Sequence, residues 1–154
     1  TMIILLDLNY TLVANSTEKK RPFAMQIQHE KYREWLVSLV APYHTIMMTA
    51  RPEMHRQATL DSIYFKVGWT PQEAHFNRYH KPPHEAKRIM LEELVFPKHG
   101  RNAQYLAIES NPRTHAMYAE YGIPSVKIYE NEQWTELPTA PSTSPRSGRS
   151  RTPR

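Results

Sequence analysis

Apolar residues in this chain fall into short unbroken runs separated by segments of helical period. The first run, residues 3–6, is Ile-Ile-Leu-Leu without alternation. That is the pattern of a strand buried on both faces of a parallel sheet. A carboxylate, Asp7, follows it directly, and a polar stretch with Asn15, Ser16, Thr17 and the basic run Lys19-Lys20-Arg21-Pro22 comes next. Tyr32, Trp35, Leu36 and Leu39, at three- and four-residue spacing, predict a helix over about 29–39. A second apolar strand over 45–48 runs into Thr49-Ala50-Arg51-Pro52, followed by a helix over about 53–65. A short strand near 74–77 leads to Tyr79-His80-Lys81-Pro82-Pro83 and a helix over about 84–94. A strand over 105–108 reaches Glu109-Ser110-Asn111-Pro112. The next helix, 113–121, stops at Gly122, a suitable residue just past a helix end. A strand over 125–128 closes the series.

Strand and helix thus alternate about five times, which predicts a three-layer, Rossmann-like α/β fold with a mostly parallel sheet and helices on both faces. Ligands bind at the carboxyl edge of such sheets. Four segments deliver polar side chains there directly after a strand: Asp7 with Asn9, Thr49 with Arg51, Lys81, and Glu109 with Ser110 and Asn111. The expected domain covers residues 1–134. Residues 138–154 are Pro, Ser, Thr, Arg, Ala and one Gly, so 135–154 is expected to be a disordered basic tail. Such a tail is either a solvated end or a weak arm for nucleic acid or a partner.

Charge changes the picture only once it is divided. Residues 1–134 hold 16 Lys and Arg against 14 Asp and Glu, a balance of +2, whereas 135–154 hold four Arg against Glu136, a balance of +3. The folded part is nearly neutral. The chain has no Cys, which excludes disulfides, thiolate metal sites and Cys nucleophiles. Four Gly residues, none paired, exclude a phosphate-binding P-loop or a dinucleotide fingerprint. No apolar stretch approaches the roughly 18 residues of a membrane span. The apolar start contains Asp7 and lacks a basic leader, so no signal peptide is expected and a cytoplasmic protein is. The eight His residues show no regular zinc spacing. Tyr32, Trp35 and Trp69 read as packing residues, while Tyr10, inside the first polar loop, is a candidate substrate contact.

Taken in order, these four segments resemble the motifs of the haloacid dehalogenase superfamily of phosphotransferases, over about residues 2–130. The stretch from Tyr105 to Gly122 is weakly similar to the phosphatase domain of phage-type polynucleotide kinase/phosphatases. The resemblance implies that Asp7 is a nucleophile forming an aspartyl-phosphate. It implies that Thr49 and Arg51 bind the transferring phosphate, and that Lys81, with Lys87 as alternate, holds nucleophile and phosphate charges together. It further implies that Asp7, the carbonyl of Asn9, Glu109 and Asn111 bind Mg2+.

Two positions depart from the family pattern. Asn9 stands where a second Asp usually protonates the leaving oxygen and activates water; Asn exchanges no proton near pH 7, so turnover is expected to be slow unless a water, His80 or Glu109 substitutes. Ser110 stands where many relatives carry a second carboxylate, so metal binding is expected to be weakened but retained. Intervals 13–44 and 51–81 each leave about 30 residues around a helix, too few for a large cap domain by the usual size of domains. A capless site suits a bulky phosphorylated substrate, such as a nucleic-acid end, and Lys19-Lys20-Arg21 either meets its phosphates or is a solvated charge run. The leading expectation is a magnesium-dependent phosphomonoester hydrolase, acting on a nucleotide or a polynucleotide 3′-phosphate. The competing one is a degenerate relative that binds phosphate or a partner without turnover, and a third is a phosphotransferase. Oligomeric state is not legible in the sequence.

Overall fold

A computed structural model describes residues 1–138. Five strands form one sheet: β1 (Met2–Leu6), β2 (His44–Pro52), β3 (Glu73–Asn77), β4 (Gln104–Ile108) and β5 (Ser125–Val126), in the order β3-β2-β1-β4-β5. Every pairing is parallel. The helices are α1 (Phe23–His29), α2 (Glu34–Val40), α3 (Arg56–Val67), α4 (Pro83–Met90), α5 (Phe96–His99) and α6 (Pro112–Glu120). A wide helical turn, Leu91–Val95, joins α4 to α5. The result is a Rossmann-like three-layer α/β domain.

The period of two along β1 builds both cores. Ile4 and Leu6 face one layer, with Leu36 and Val40 of α2 and Ile63 of α3. Ile3 and Leu5 face the other, with Ala86 and Met90 of α4, Phe96 of α5 and Met117 of α6. Buried on both sides, β1 is apolar at every position between Met2 and Leu6. Gly122 sits at φ 71° just after α6. The Ile123 amide bonds back to the Tyr118 carbonyl and the Gly122 amide to that of Ala119, the paired bonds of a Schellman ending.

Two expectations about elements are corrected. No helix runs over 29–39. Helix α1 occupies Phe23–His29, within a stretch that reads as loop, and α2 starts only at Glu34. Between them the chain is extended, and Tyr32 pairs with Val13 in an antiparallel bridge. The helical spacing of Tyr32 and Leu36 arises because both are buried in the same layer, Tyr32 from an extended segment. Strand β2 is nine residues long, four more than β1, β3 or β4, and carries Thr49 and Arg51 within it. Trp134 and Leu137 are partly buried against the core. The expectation of a disordered tail falls mostly outside the described residues. No described helix is long and apolar enough to cross a membrane.

Candidate active site

β1 lies at the centre of the sheet, and the chain moves to one side of it through β2 and β3, then to the other through β4 and β5. The reversal falls between β1 and β4, where a crevice opens at the carboxyl edge of an open α/β sheet. The register pairs Leu5 with Ala107 and Leu6 with Ile108. One residue further, Asp7 and Glu109 emerge side by side, both on the face covered by α4 and α6 because both are odd-numbered like Leu5 and Ala107. Each is almost fully buried.

Lys87, on α4, closes this pair. Its ammonium donates to Asp7 Oδ1 at 2.9 Å and to Glu109 Oε1 at 2.8 Å. Burial works against the charge on Lys87, but the carboxylates of Asp7 and Glu109 outweigh it and hold the ammonium above its ordinary range. Glu109 moves the other way: burial, aided by the charge of Asp7, pushes it up to about 7 against the pull of Lys87. The second oxygen of Asp7 accepts from the hydroxyls of Thr11, at 2.9 Å, and Ser110, at 2.8 Å. The second oxygen of Glu109 accepts the main-chain N–H of Ser110 and of Asn111. His115 bonds the Glu109 carbonyl at 2.8 Å and orients the strand end from behind.

Lys81, the lysine expected here, is exposed in the segment before α4, and Lys87 stands in its place. A lysine on the first turns of α4 reaches the sheet edge only if it points inward between Ala86 and Met90, as Lys87 does. Lys81 precedes the helix, where Pro82 and Pro83 direct the chain outward. His80 is exposed as well.

A second charged cluster forms around Arg51. Its guanidinium grips the carboxylate of Glu30 with both terminal nitrogens, Nη1–Oε1 at 3.2 Å and the shorter Nη2–Oε2 contact. It also donates to Thr59 Oγ1 and to Asn9 Oδ1, each at 2.9 Å. Its Nε has no hydrogen-bond partner among the described residues. Thr49 is buried, and its hydroxyl accepts the Arg51 main-chain N–H at 3.1 Å. Glu30 carries no motif that marks it in the sequence; it lies between α1 and α2, at the edge of the span whose spacing predicts a helix. Asn9 links the two clusters, since it lies two residues after Asp7 and holds Arg51. Its own carbonyl accepts from Ser110 at 3.3 Å.

The linking turn is unusual. Tyr10 adopts φ 60°, a left-handed conformation that costs a bulky residue on the order of 1 kcal/mol or more. The Ser16 hydroxyl holds its N–H at 2.7 Å. The Tyr10 ring is half-exposed, with Lys19 Nζ 5.2 Å from its centroid. Two pockets flank the turn. One, of about 560 Å³, includes Tyr10, Arg33, Ser110 and Lys127 in its lining. The other, of about 450 Å³, includes Asn9, Lys19, Lys20, Arg21, Phe23 and Arg51. Asp7 lies just behind the Ser110 hydroxyl that lines the first.

The donor set can be tested against Mg2+. Asp7 Oδ2 and the Asn9 carbonyl both face one neutral oxygen, Ser110 Oγ, and Glu109 stands beside them. Two carboxylates against one ammonium leave a negative balance. An all-oxygen set with one or two carboxylates is what Mg2+ takes, so these residues fit. The side chain of Asn111 does not join them: its Oδ1 accepts the Arg113 N–H at 2.8 Å and caps α6.

No family model matches the chain, and neither does any curated protein. Solved structures do match. A chain of the Pnkp1/Rnl/Hen1 RNA repair complex superimposes with a TM-score of 0.66 at 14% identity, over 85% of this chain and 43% of that one. A chain from a second structure of the Pnkp1/Rnl/Hen1 complex gives a TM-score of 0.64 at 10% identity, over 82% of this chain and 45% of that one. At such identities the likeness is one of fold. The present chain spans less than half the length of either.

Proposed function

We propose that this chain is a magnesium-dependent phosphomonoesterase of the haloacid dehalogenase type, acting on the terminal phosphate of a nucleic acid. The observation that carries the reading is the convergence of Asp7, Lys87 and Glu109 at the reversal point of the sheet. In this reading Asp7 attacks phosphorus, the P–O bond to the substrate alcohol breaks with the departing oxygen taking a proton from water, and the aspartyl-phosphate that forms is hydrolysed by a second water to free Asp7 and inorganic phosphate. Lys87 balances the charge that gathers on Asp7 and the phosphoryl oxygens. Bound Mg2+ would be held by Asp7, the Asn9 carbonyl and Glu109, and would supply charge stabilisation to the phosphate.

Arg51 has a different part from the one its position suggests. Glu30 already neutralises it, so it acts less as a free fork on phosphate than as the group that fixes Asn9. With Asn9 Oδ1 turned to Arg51, its N–H groups are left to a phosphate oxygen. The basic and aromatic lining by Lys19, Lys20, Arg21 and Phe23 supports a polyanionic substrate, and the RNA repair complexes that share the fold agree with a nucleic-acid end. Asn9 exchanges no proton and His80 is exposed, which leaves Glu109 or water to supply the acid–base step, so slow hydrolysis is expected.

The test is phosphate release from p-nitrophenyl phosphate and from a 3′-phosphorylated oligonucleotide, with Mg2+ and with EDTA. Magnesium-dependent release, faster from the oligonucleotide, supports the reading. A second reading, a domain that binds phosphate without turnover, is favoured by the Ser110 hydroxyl bonded to Asp7. Saturable binding of the oligonucleotide with no phosphate released at any Mg2+ concentration would select it.

A further inference from the structure

At the opposite, amino-terminal edge of the sheet, three histidines converge on one carboxylate. His44 opens β2, Glu73 opens β3 and His99 ends α5. Glu73 Oε2 lies 2.7 Å from His44 Nε2 and 2.7 Å from His99 Nε2. The two imidazole rings are 5.0 Å apart, centroid to centroid. The three ligand-type atoms lie within 4.8 Å of one another. His75, also on β3, brings its Nε2 to 3.9 Å from the other carboxylate oxygen, and that nitrogen is buried with no hydrogen-bond partner among the described residues. Sequence spacing does not reveal this cluster, because its members are spread over 56 residues and meet only through the strand order.

We propose that His44, His99 and Glu73 form a binding site for a divalent transition-metal ion of the zinc type, with His75 in reach as a fourth ligand. Two imidazoles and one carboxylate are an established ligand set for Zn2+, which binds N and O donors at about 2.0–2.2 Å. Tetrahedral ligands at that radius stand about 3.3 Å apart, so the nitrogens now at 2.7 Å from the oxygen need open by only a fraction of an ångström. The imidazole-rich donors select zinc-type ions over Mg2+, which prefers oxygen. The orphaned nitrogen of His75 is a second observation, since a buried unpaired polar atom in a folded protein calls for a missing partner such as an ion. Lys98 competes for the carboxylate, its Nζ 3.4 Å from Glu73 Oε2. Its side chain is 62% exposed and can swing into solvent. The guanidinium of Arg56 is engaged by Glu53 and the Ala74 carbonyl. The ion would pin the end of α5 to the starts of two neighbouring strands. The site is about a full strand length from Asp7 and independent of the chemistry proposed there.

The experiment is calorimetric titration of the full chain with Zn2+, in excess Mg2+ so that the other edge is masked. The expected result is one ion per chain, with affinity reduced at least about tenfold by His44→Gln or by His99→Gln and unchanged by Asp7→Asn. Because a variant can misfold, imidazole NMR of the unaltered protein is recorded alongside. Zn2+ should perturb the ring nitrogens of His44 and His99, with His75, and not those of the other histidines. Absence of binding up to millimolar Zn2+, affinity unaffected by the two substitutions in folded protein, or perturbation centred on other histidines would each overturn the proposal.

Discussion

Replacing Lys87 by Met keeps much of the side-chain volume but removes the one cation between two buried carboxylates. Asp7 and Glu109 are then left facing each other with 6% and 2% exposure. Breaking a buried ion pair by deleting one partner typically costs about 3–5 kcal/mol. For a domain of this size about 1 kcal/mol moves Tm by roughly 2–4 °C, so the variant should melt about 6–20 °C lower near pH 8. The deficit should depend on pH. Glu109 is already raised to about 7 by burial, above its unfolded value of 4.5. A raised carboxyl pKa makes folding less favourable as pH climbs from the unfolded value towards the folded one. Without Lys87 that value rises further, so the deficit relative to the parent protein grows as pH passes above about 7, where Glu109 ionises in the parent and stays protonated in the variant, and is smaller and level below it. Urea unfolding followed by far-UV circular dichroism at pH 8 and pH 5 measures both. Lys81→Met, at an exposed position, is the control and should change stability by no more than about 0.5 kcal/mol. A deficit below about 1 kcal/mol, or one of equal size at the two pH values, would refute the electrostatic account.

Four further outcomes are expected. Asp7→Asn should abolish magnesium-dependent phosphate release while circular dichroism stays native, because Lys87 keeps Glu109 as its partner. Asn9→Asp should raise turnover, with about 10²–10⁴-fold as the ceiling for a restored acid–base group; Arg51, 2.9 Å from Asn9 Oδ1, would hold the new carboxylate ionised, so steady-state rates should show a gain in the lower part of that range. Glu30→Gln leaves the Arg51 guanidinium buried without a counter-charge and should cost about 3–5 kcal/mol in urea unfolding. Truncation after Leu137 should leave Tm unchanged, whereas removing Trp134 as well loses its edge-on contact with Trp35, at 5.6 Å between centroids, and should cost at least about 1 kcal/mol.

β1, β2 and β4 were legible because a doubly buried strand has one signature, an unbroken apolar run, whereas the edge strand β3, Glu-Ala-His-Phe-Asn with only Phe76 buried, has none and was placed from its position between two helices. Asp7 and Glu109 were legible for the same reason: each is the first polar residue after a run. What the sequence hid was whatever depends on direction or on distant pairing. Lys81 and Lys87 are equally plausible as letters, and only the inward face of α4 separates them. Glu30 was concealed by a false helical period, since Tyr32 is buried from an extended segment. Arg51 reads as a free cation until the fold brings Glu30 against it. Asn111 reads as a ligand, but the start of α6 needs a cap and claims its side chain.

The turn at residues 8–12 joins two buried ionic clusters that otherwise belong to different layers of the molecule. Asp7 is tied to the α4 side through Lys87, and Asn9 to the α1 and α3 side through Arg51, with a single residue between them. Displacing that residue by the width of one bond strains both sets of contacts together. The two halves of the crevice are therefore mechanically linked: a shift on the α4 side is passed through Leu8 to the contacts on the α1 and α3 side.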